Sequence, residues 1–288
     1  MTAVVVAPNP TGRQPRGSRV LATVAHHTVL IALTVMFLAP VAFIALTAVM
    51  SDTQALSHRM WPHPFVWSNF TTIFDLAPMW RFASNTLLIA ALSTAGVLVS
   101  CVPVAYALSH LEWKGRRVAL FAVLATYMLP AQATIVPLYI VFAKLHWTGT
   151  LKPLIIPAFF ANAFDVFLLR QFFLTIPRHL TDAARMEGAS EWRVLTRVVL
   201  PIARPALAAV ALLHFVFVWN DLFGPLLYLG ENRDLWTLTL GLSEFRSQHA
   251  VEWNLTMAAS LLYILPIVAL FLLAQRWVID SVKVTGRA

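Results

Sequence analysis

The side chains able to do chemistry fall in two groups, and neither has the spacing of an enzyme. Asn85, Gln132, Asn162, Asp165, His214, Asn220 and Asp221 stand inside or at the edges of apolar runs. The stretch from Thr181 to Ala206, TDAARMEGASEWRVLTRVVLPIARPA, concentrates charge between two such runs. Carboxylates and amides in apolar surroundings exchange hydrogen bonds with hydroxyl groups, so the first group suits either a path for a hydroxylated solute or the bonding of one helix to another. A charge inside a bilayer costs at least ~2.5–3.5 kcal/mol, so Asp165 and Asp221 are expected to face protein or water. Asn85 is placed near a helix start, where an N-cap is expected, and His214 reads as a packing histidine with its bonds satisfied. No nucleophile stands with an acid–base pair, and no His-x-x-x-His spacing offers a metal site, so no catalytic and no metal residue is assigned. The loop G-x-x-x-x-G-K-[ST], which would cradle nucleotide phosphates, does not occur.

The charged stretch reads as a protruding elbow. Pro177 ends the preceding run, because proline cannot continue a helix past its missing donor. Thr181 or Asp182 is expected to cap a short helix through Glu187. Gly188 can take the left-handed conformation that closes it. Ser190 is expected to cap a second helix carrying Glu191, Trp192, Arg193 and Arg197 towards Pro201. Two short helices around a glycine, rich in charge, make a surface for another protein to hold.

The elements that must position these residues follow from composition. Of 288 residues, 59% are hydrophobic and only 12% charged, against about 25% charged in soluble domains. Such a chain expects lipid around it, and mean hydropathy of +0.73 agrees. Six apolar runs, near 21–50, 84–109, 118–143, 153–176, 203–229 and 255–278, each reach the ~20 residues needed to span a bilayer. Helices are the natural form there, since backbone groups in lipid must bond within the segment. The fold class expected is all-α, a six-helix polytopic membrane protein. The first run is far longer than the 7–15 apolar residues of a secretory signal, so an uncleaved anchor is expected.

Formal net charge is +8, which in a soluble protein would suggest nucleic acid. Here the basic residues gather in short gaps between apolar runs, so topology explains them and no nucleic-acid partner is assigned. Arg13, Arg16 and Arg19, then Lys114, Arg116 and Arg117, then Arg170, Arg178, Arg185, Arg193, Arg197 and Arg204, then Arg276, Lys283 and Arg287 fall on one side. The other side holds only Arg59, Arg81, Lys144, Lys152, Arg233 and Arg246. The richer side is expected in the cytoplasm, with both termini. Residues 1–19 then form a disordered cytoplasmic tail, 20–280 the membrane domain with its cytoplasmic insert at 177–202, and 281–288 a second tail. Cys101 is the single cysteine and sits in an apolar run, where it behaves as a small hydrophobe.

At the elbow the chain resembles a known family. Asp182-Ala183-Ala184, three residues, Gly188, nine residues, Val198, one residue and Leu200-Pro201 match the "EAA" signature of permease subunits of ATP-binding-cassette importers. Asp stands for the family's Glu and Val for its Ile, with the spacing kept. The run from Phe167 to Leu207, Trp219-Asn220-Asp221, and FLLAQRW from Phe271 to Trp277 resemble the carbohydrate-uptake branch, in particular the smaller maltose-type permease and its glycerol-phosphate and oligosaccharide relatives. The final VKVTGRA departs from the glycine-rich tail usual there. The resemblance implies the type I importer membrane fold in a bacterial inner membrane. It implies a sister permease, two cytoplasmic ATPase subunits that hold ATP and Mg, and an external sugar-binding protein, with no cofactor on this chain. Asp182, Ala183, Ala184, Glu187, Gly188, Ala189, Ser190 and Glu191 would seat in an ATPase cleft. The candidate solute path comprises Asn85, Gln132, Asn162, Asp165, Asn220 and Asp221. One alternative is an ATP-binding-cassette permease for another solute such as glycerol phosphate; a more distant one is an ion-coupled secondary transporter, which would need coupling carboxylates, and only Asp165 and Asp221 qualify, with no internal repeat.

Overall fold

A computed structural model describes residues 16–57, 59–230, 232–245 and 252–285. These residues form helices without any strand. Helix α1 (Arg16–Ala48) leads to a short α2 (Asp52–Ala55), then α3 (Asn69–Leu76) and α4 (Met79–Ser109). Helices α5 (Arg116–Tyr127) and α6 (Ala131–Lys144) follow, then α7 (Lys152–Ile155) running into a 3-10 turn at Ile156–Phe160, then α8 (Ala163–Leu174). The elbow comprises α9 (Arg178–Met186) and α10 (Glu191–Val194), a π-helical turn at Leu195–Val199, and α11 (Leu200–Ile202). Helices α12 (Arg204–Trp219), α13 (Phe223–Leu229), α14 (Leu238–Glu244) and α15 (Trp253–Thr285) complete the chain.

Among the described residues four stretches are long and apolar enough to cross a membrane: Thr23–Ala48, Met79–Ser109, Lys152–Leu174 and Trp253–Leu273. Two more of the expected six runs are broken. The third run bends by 94° between α5 and α6, because Pro130 lacks an amide donor and pushes the residue before it out of the helical region. The fifth run stops at Trp219 and resumes at Phe223. Before it, the elbow's second arm meets α12 at 79°. The expected N-terminal tail is shorter than 1–19 where it is described, since α1 begins at Arg16; residues 1–15 lie outside the described residues. The expected tail from 281 is helical as far as Thr285, with 286–288 outside the description.

Helix α4 is the axis of the fold, packing against α8 and α12 along its length. One apolar core forms around its later half, with Val97, Cys101, Ala105 and Leu108 meeting Leu169 and Phe173 of α8 and Val194, Val199 and Val210 of the elbow and α12. A second core forms around its first half, where Phe82 and Ala90 meet Trp219, Leu238, Leu255 and Ala258. Helix α1 lies outside this body against α15, with Ile31, Met36 and Phe37 exposed, as lipid-facing side chains would be.

The break before α8 shows how α4 supports irregular backbone. Ala161 takes a positive φ of 59°, a conformation that costs a non-glycine residue energy. The freed groups are met by side chains of α4: Ser100 donates to the Ala158 carbonyl at 3.0 Å, and the Asn162 amide reaches Cys101 Sγ at 3.2 Å. Interrupted helices survive at membrane depth where protein satisfies their backbone in this way. Cys101 is thus packed, as expected, and also an acceptor.

Candidate functional site

The elbow is closed by backbone bonds that its sequence dictates. Gly188 adopts φ +80°. Its amide donates to the Arg185 carbonyl at 2.9 Å, and that of Ala189 donates to Ala184 at 3.0 Å. This is the paired capping pattern that a left-handed glycine one residue past a helix end permits. A Cβ at Gly188 would touch nothing within 4 Å, so glycine is favoured there by backbone conformation and not by space. The helix begins earlier than expected, at Arg178 behind Pro177, so neither Thr181 nor Asp182 is its cap. Ser190 does occupy the N-cap of α10, but its side chain makes no capping bond.

One guanidinium holds the two arms together. Arg185 donates through Nη1 to Asp182 Oδ1 at 2.8 Å, through Nε to Glu191 Oε1 at 2.8 Å, and through Nη2 to Glu191 Oε2 at 3.2 Å. Two parallel bonds to one carboxylate fix geometry as well as charge. Arg185 is thereby raised above the ordinary arginine value, chiefly by its bond with Glu191. Glu191 is held below the usual carboxylate range, first by Arg185, with partial burial opposing.

Glu191 also accepts from the hydroxyl of Tyr106, near the end of α4, at 2.5 Å. The ring of His110 stacks on Tyr106 with centroids 5.3 Å apart and meets Phe173 of α8 edge-on. Burial pushes His110 below the ordinary imidazole value, with Arg185 and Arg178 adding to the shift. Arg178 pairs with Glu112 at 3.1 Å. His110, Glu112, Arg178, Asp182, Arg185 and Glu191 border a cleft of about 630 Å³ between the elbow and the end of α4.

The elbow's inner side is apolar and rooted: Ala184 and Ala189 pack against the core formed by α4 and α8. Its outer side is bare. Met186 is 90% exposed and Trp192 69%, while Asp182, Ala183 and Glu187 also face outward.

The intramembrane polar residues are less united than the sequence suggested. Asp165 is buried, with His214 Nδ1 at 3.5 Å from its Oδ2; His214 Nε2 is buried without a partner, so this histidine is not satisfied at both nitrogens. Asn162 is the N-cap of α8, accepting from the Phe164 amide at 2.8 Å. Asp221 Oδ1 accepts from the Gly224 amide at 3.0 Å and secures the start of α13. Asn220 donates to the Val216 carbonyl at 2.6 Å and accepts from Tyr263 at 2.5 Å. Asn85 is not an N-cap: it lies inside α4 and donates to the carbonyls of Asp234 and Trp236, 2.9 and 3.0 Å away. Gln132 is exposed near the start of α6. Of the six, Asn162 and Asp221 share a cavity of about 320 Å³, with His214 and Tyr228 in its wall.

The family of binding-protein-dependent transport system inner membrane components matches residues 93–284. This chain belongs to that family. It is therefore a permease subunit of an ATP-binding-cassette importer, a membrane component and not an enzyme, with ATP hydrolysis on a separate subunit. The permease is 33% identical over 226 residues to the arabinooligosaccharides transport system permease protein AraQ of Halalkalibacterium halodurans, covering 78% of this chain and 80% of that one. It is 32% identical over 273 residues to the sn-glycerol-3-phosphate transport system permease protein UgpE of Yersinia enterocolitica, covering 89% and 96%. Among solved structures it resembles a chain of a bacterial importer of the acidic polysaccharide alginate, with TM-score 0.77 at 23% identity over 92% of this permease and 99% of that chain. That likeness shows the type I importer fold.

Tyr106 and His110 carry no mark in the sequence that ties them to the elbow. Their partner Glu191 lies 85 residues beyond Tyr106. Arg185 lay within the expected elbow, and its position one turn beyond Asp182 was the available signal.

Proposed function

We propose that this permease serves a carbohydrate importer of a bacterial inner membrane, and that its elbow, Asp182 to Glu191, seats in a cytoplasmic ATPase subunit and transmits that subunit's motion to the spans. The observation that carries the reading is the elbow's two-sidedness. Its inner face is tied to α4 and α8, while Met186 and Trp192 stand bare on its outer face. A rigid element held on one side and free on the other can convert a partner's closure into rigid-body rotation of the helices behind it. The spans would number six, with the two bent runs each counted once and both termini on the elbow's side. A sister permease would complete the path, a second ATPase subunit would bind that sister, ATP and Mg would reside on the ATPases, and an external binding protein would deliver the solute.

A neutral hydroxylated solute fits better than a phosphorylated one. The cavity that holds Asn162, Asp221, His214 and Tyr228 has no lysine or arginine among its lining residues. A phosphate there would face the Asp221 carboxylate without a counter-charge, whereas sugar hydroxyls can donate to it. Names of the relatives point both ways, to arabinooligosaccharides and to glycerol phosphate, and the wall of this cavity favours the first.

The test is uptake into vesicles containing the full complex and its binding protein, with labelled arabinooligosaccharide and glycerol 3-phosphate offered in turn. ATP-dependent uptake of the oligosaccharide alone supports the reading. Uptake of glycerol 3-phosphate alone contradicts the carbohydrate assignment and leaves the elbow's role to be judged separately.

A further inference from the structure

Beside the elbow cleft opens a second one, of about 580 Å³, with Arg116, Arg117, Arg170, Trp113, Val118 and Leu120 in its wall. The two clefts share Glu112 and Trp113 and so open on the same face of the molecule. None of the elbow's bonds uses the three arginines.

Those arginines are positioned but not neutralised. Arg116 donates through Nε to the Leu108 carbonyl at 2.9 Å and through Nη1 to Leu111 at 3.3 Å. Arg170, on α8, donates through Nε to the same Leu108 carbonyl at 3.0 Å. Carbonyls aim a guanidinium without cancelling its charge. Glu112, the one carboxylate at the rim, is already paired with Arg178. Among the described residues no ion pair involves Arg116, Arg117 or Arg170. Three cations from two helices therefore converge on a space whose one carboxylate, Glu112, is already paired with Arg178. The first turn of α5 adds to the field, since Gly115 starts that helix without a side-chain cap and unmet amides at a helix start favour an anion.

What surrounds the charge is apolar. Val118 and Phe121, further along α5, are 73% and 77% exposed, and Trp113 is 44% exposed at the rim. A tryptophan at the border, arginines at the mouth and bare aliphatic and aromatic surface below reproduce the layers of a lipid leaflet: headgroup, interface, acyl chain.

We propose that this cleft binds the phosphate of an anionic phospholipid, whose acyl chains lie along Val118 and Phe121. The headgroup would bridge Arg116 and Arg117 of α5 to Arg170 of α8, bracing the span that is bent at Pro130 against the helix that leads into the elbow. A free phosphate would satisfy the same arginines but would leave the apolar flank bare.

The full-length permease, purified from mixed vesicles of phosphatidylglycerol and phosphatidylcholine, is examined by native mass spectrometry for lipid retained. Preferential retention of phosphatidylglycerol is expected. Among the described residues the Arg117 side chain makes no hydrogen bond or ion pair, so Arg117→Gln leaves the fold intact and should cut that preference about five-fold, the value of one basic residue at a membrane surface. Arg117→Gln/Arg170→Gln should cut it further, and Arg117→Lys should keep most of it. Equal retention of the two lipids, or unchanged selectivity in Arg117→Gln, overturns the proposal. Displacement of the lipid by inorganic phosphate would assign the cleft to a free anion and overturn the lipid assignment. Loss of phosphatidylglycerol when ATPase subunits are added would make it a protein contact and do the same.

Discussion

The Tyr106 hydroxyl, near the end of α4, donates to the Glu191 carboxylate at the head of the elbow's second arm, 2.5 Å away. Because Glu191 is also gripped by Arg185 of the first arm, one carboxylate joins both arms to the central helix. Tyr106→Phe removes that link and leaves the arms joined to each other. A single bond to a charged group contributes about 1.5–3 kcal/mol, and the two arms stay joined through Arg185, so the complex should assemble. The ATP hydrolysed per solute transported should rise, and an unchanged ratio would mean the link transmits no force.

Gly188 separates a conformational cost from a steric one. Its Cβ would meet nothing within 4 Å, so substitution within this chain costs only what the left-handed backbone costs, about 1–2 kcal/mol for most residues. Gly188→Asn should be tolerated better than Gly188→Val, because asparagine visits that conformation more readily. Protease sensitivity of the elbow and uptake in vesicles should follow that order. If both variants lose uptake equally while the elbow stays closed, the clash is with the docked ATPase instead.

Acid should loosen the elbow. Glu191 is depressed by Arg185's hydrogen bonds and His110 by burial. Both groups bind fewer protons in the folded state than in the unfolded one, so stability rises with pH across each interval. The His110 share is present above the ordinary imidazole value of about 6.5 and is lost as pH falls through its depressed value. The Glu191 share is present above about 4.3 and is lost at lower pH still. Hydrogen-exchange protection of the Gly188 and Ala189 amides, corrected for intrinsic rates, should decline in those two steps. Protection that grows on acidification would contradict the assignment.

Asp165 and His214 test whether a buried pair matters within the spans. Their side chains are 4% and 11% exposed. His214→Phe leaves the buried Asp165 side chain without its neighbour and should destabilise by about 1–3 kcal/mol, whereas Asp165→Leu/His214→Phe should recover much of it. Thermal unfolding of these two variants and of Asp165→Leu alone measures the difference. Additive losses would show that the residues do not act as a pair.

The elbow was the most legible part of the chain because its signals are local. Pro177 and Gly188 act on their own backbone, and the helix between them needs nothing distant to stop where it does. Its start was misplaced by a few residues because the cap sought was polar, while the chain uses Pro177 itself. The spans were legible as apolar runs, but Met128 to Pro130 turns one of them by 94°, and apolar content carries no record of direction. Asn85 and Asn162 show the limit from the other side. Each is an amide in an apolar run, yet one reaches the carbonyls of Asp234 and Trp236 from the second turn of α4 and the other caps α8. Only the fold decides whether such an amide is left over for a solute, and here most are spent on backbone.

The measurement that bears most directly on the whole account is solute uptake by proteoliposomes holding the complete complex, compared between the native chain and Met186→Asp. Met186, 90% exposed, is the most exposed large apolar side chain of the elbow. Uptake should require ATP and fall at least ten-fold in Met186→Asp, while the variant permease stays folded. Uptake driven by an ion gradient without ATP, or full ATP-driven uptake in Met186→Asp, would contradict a permease worked through its elbow.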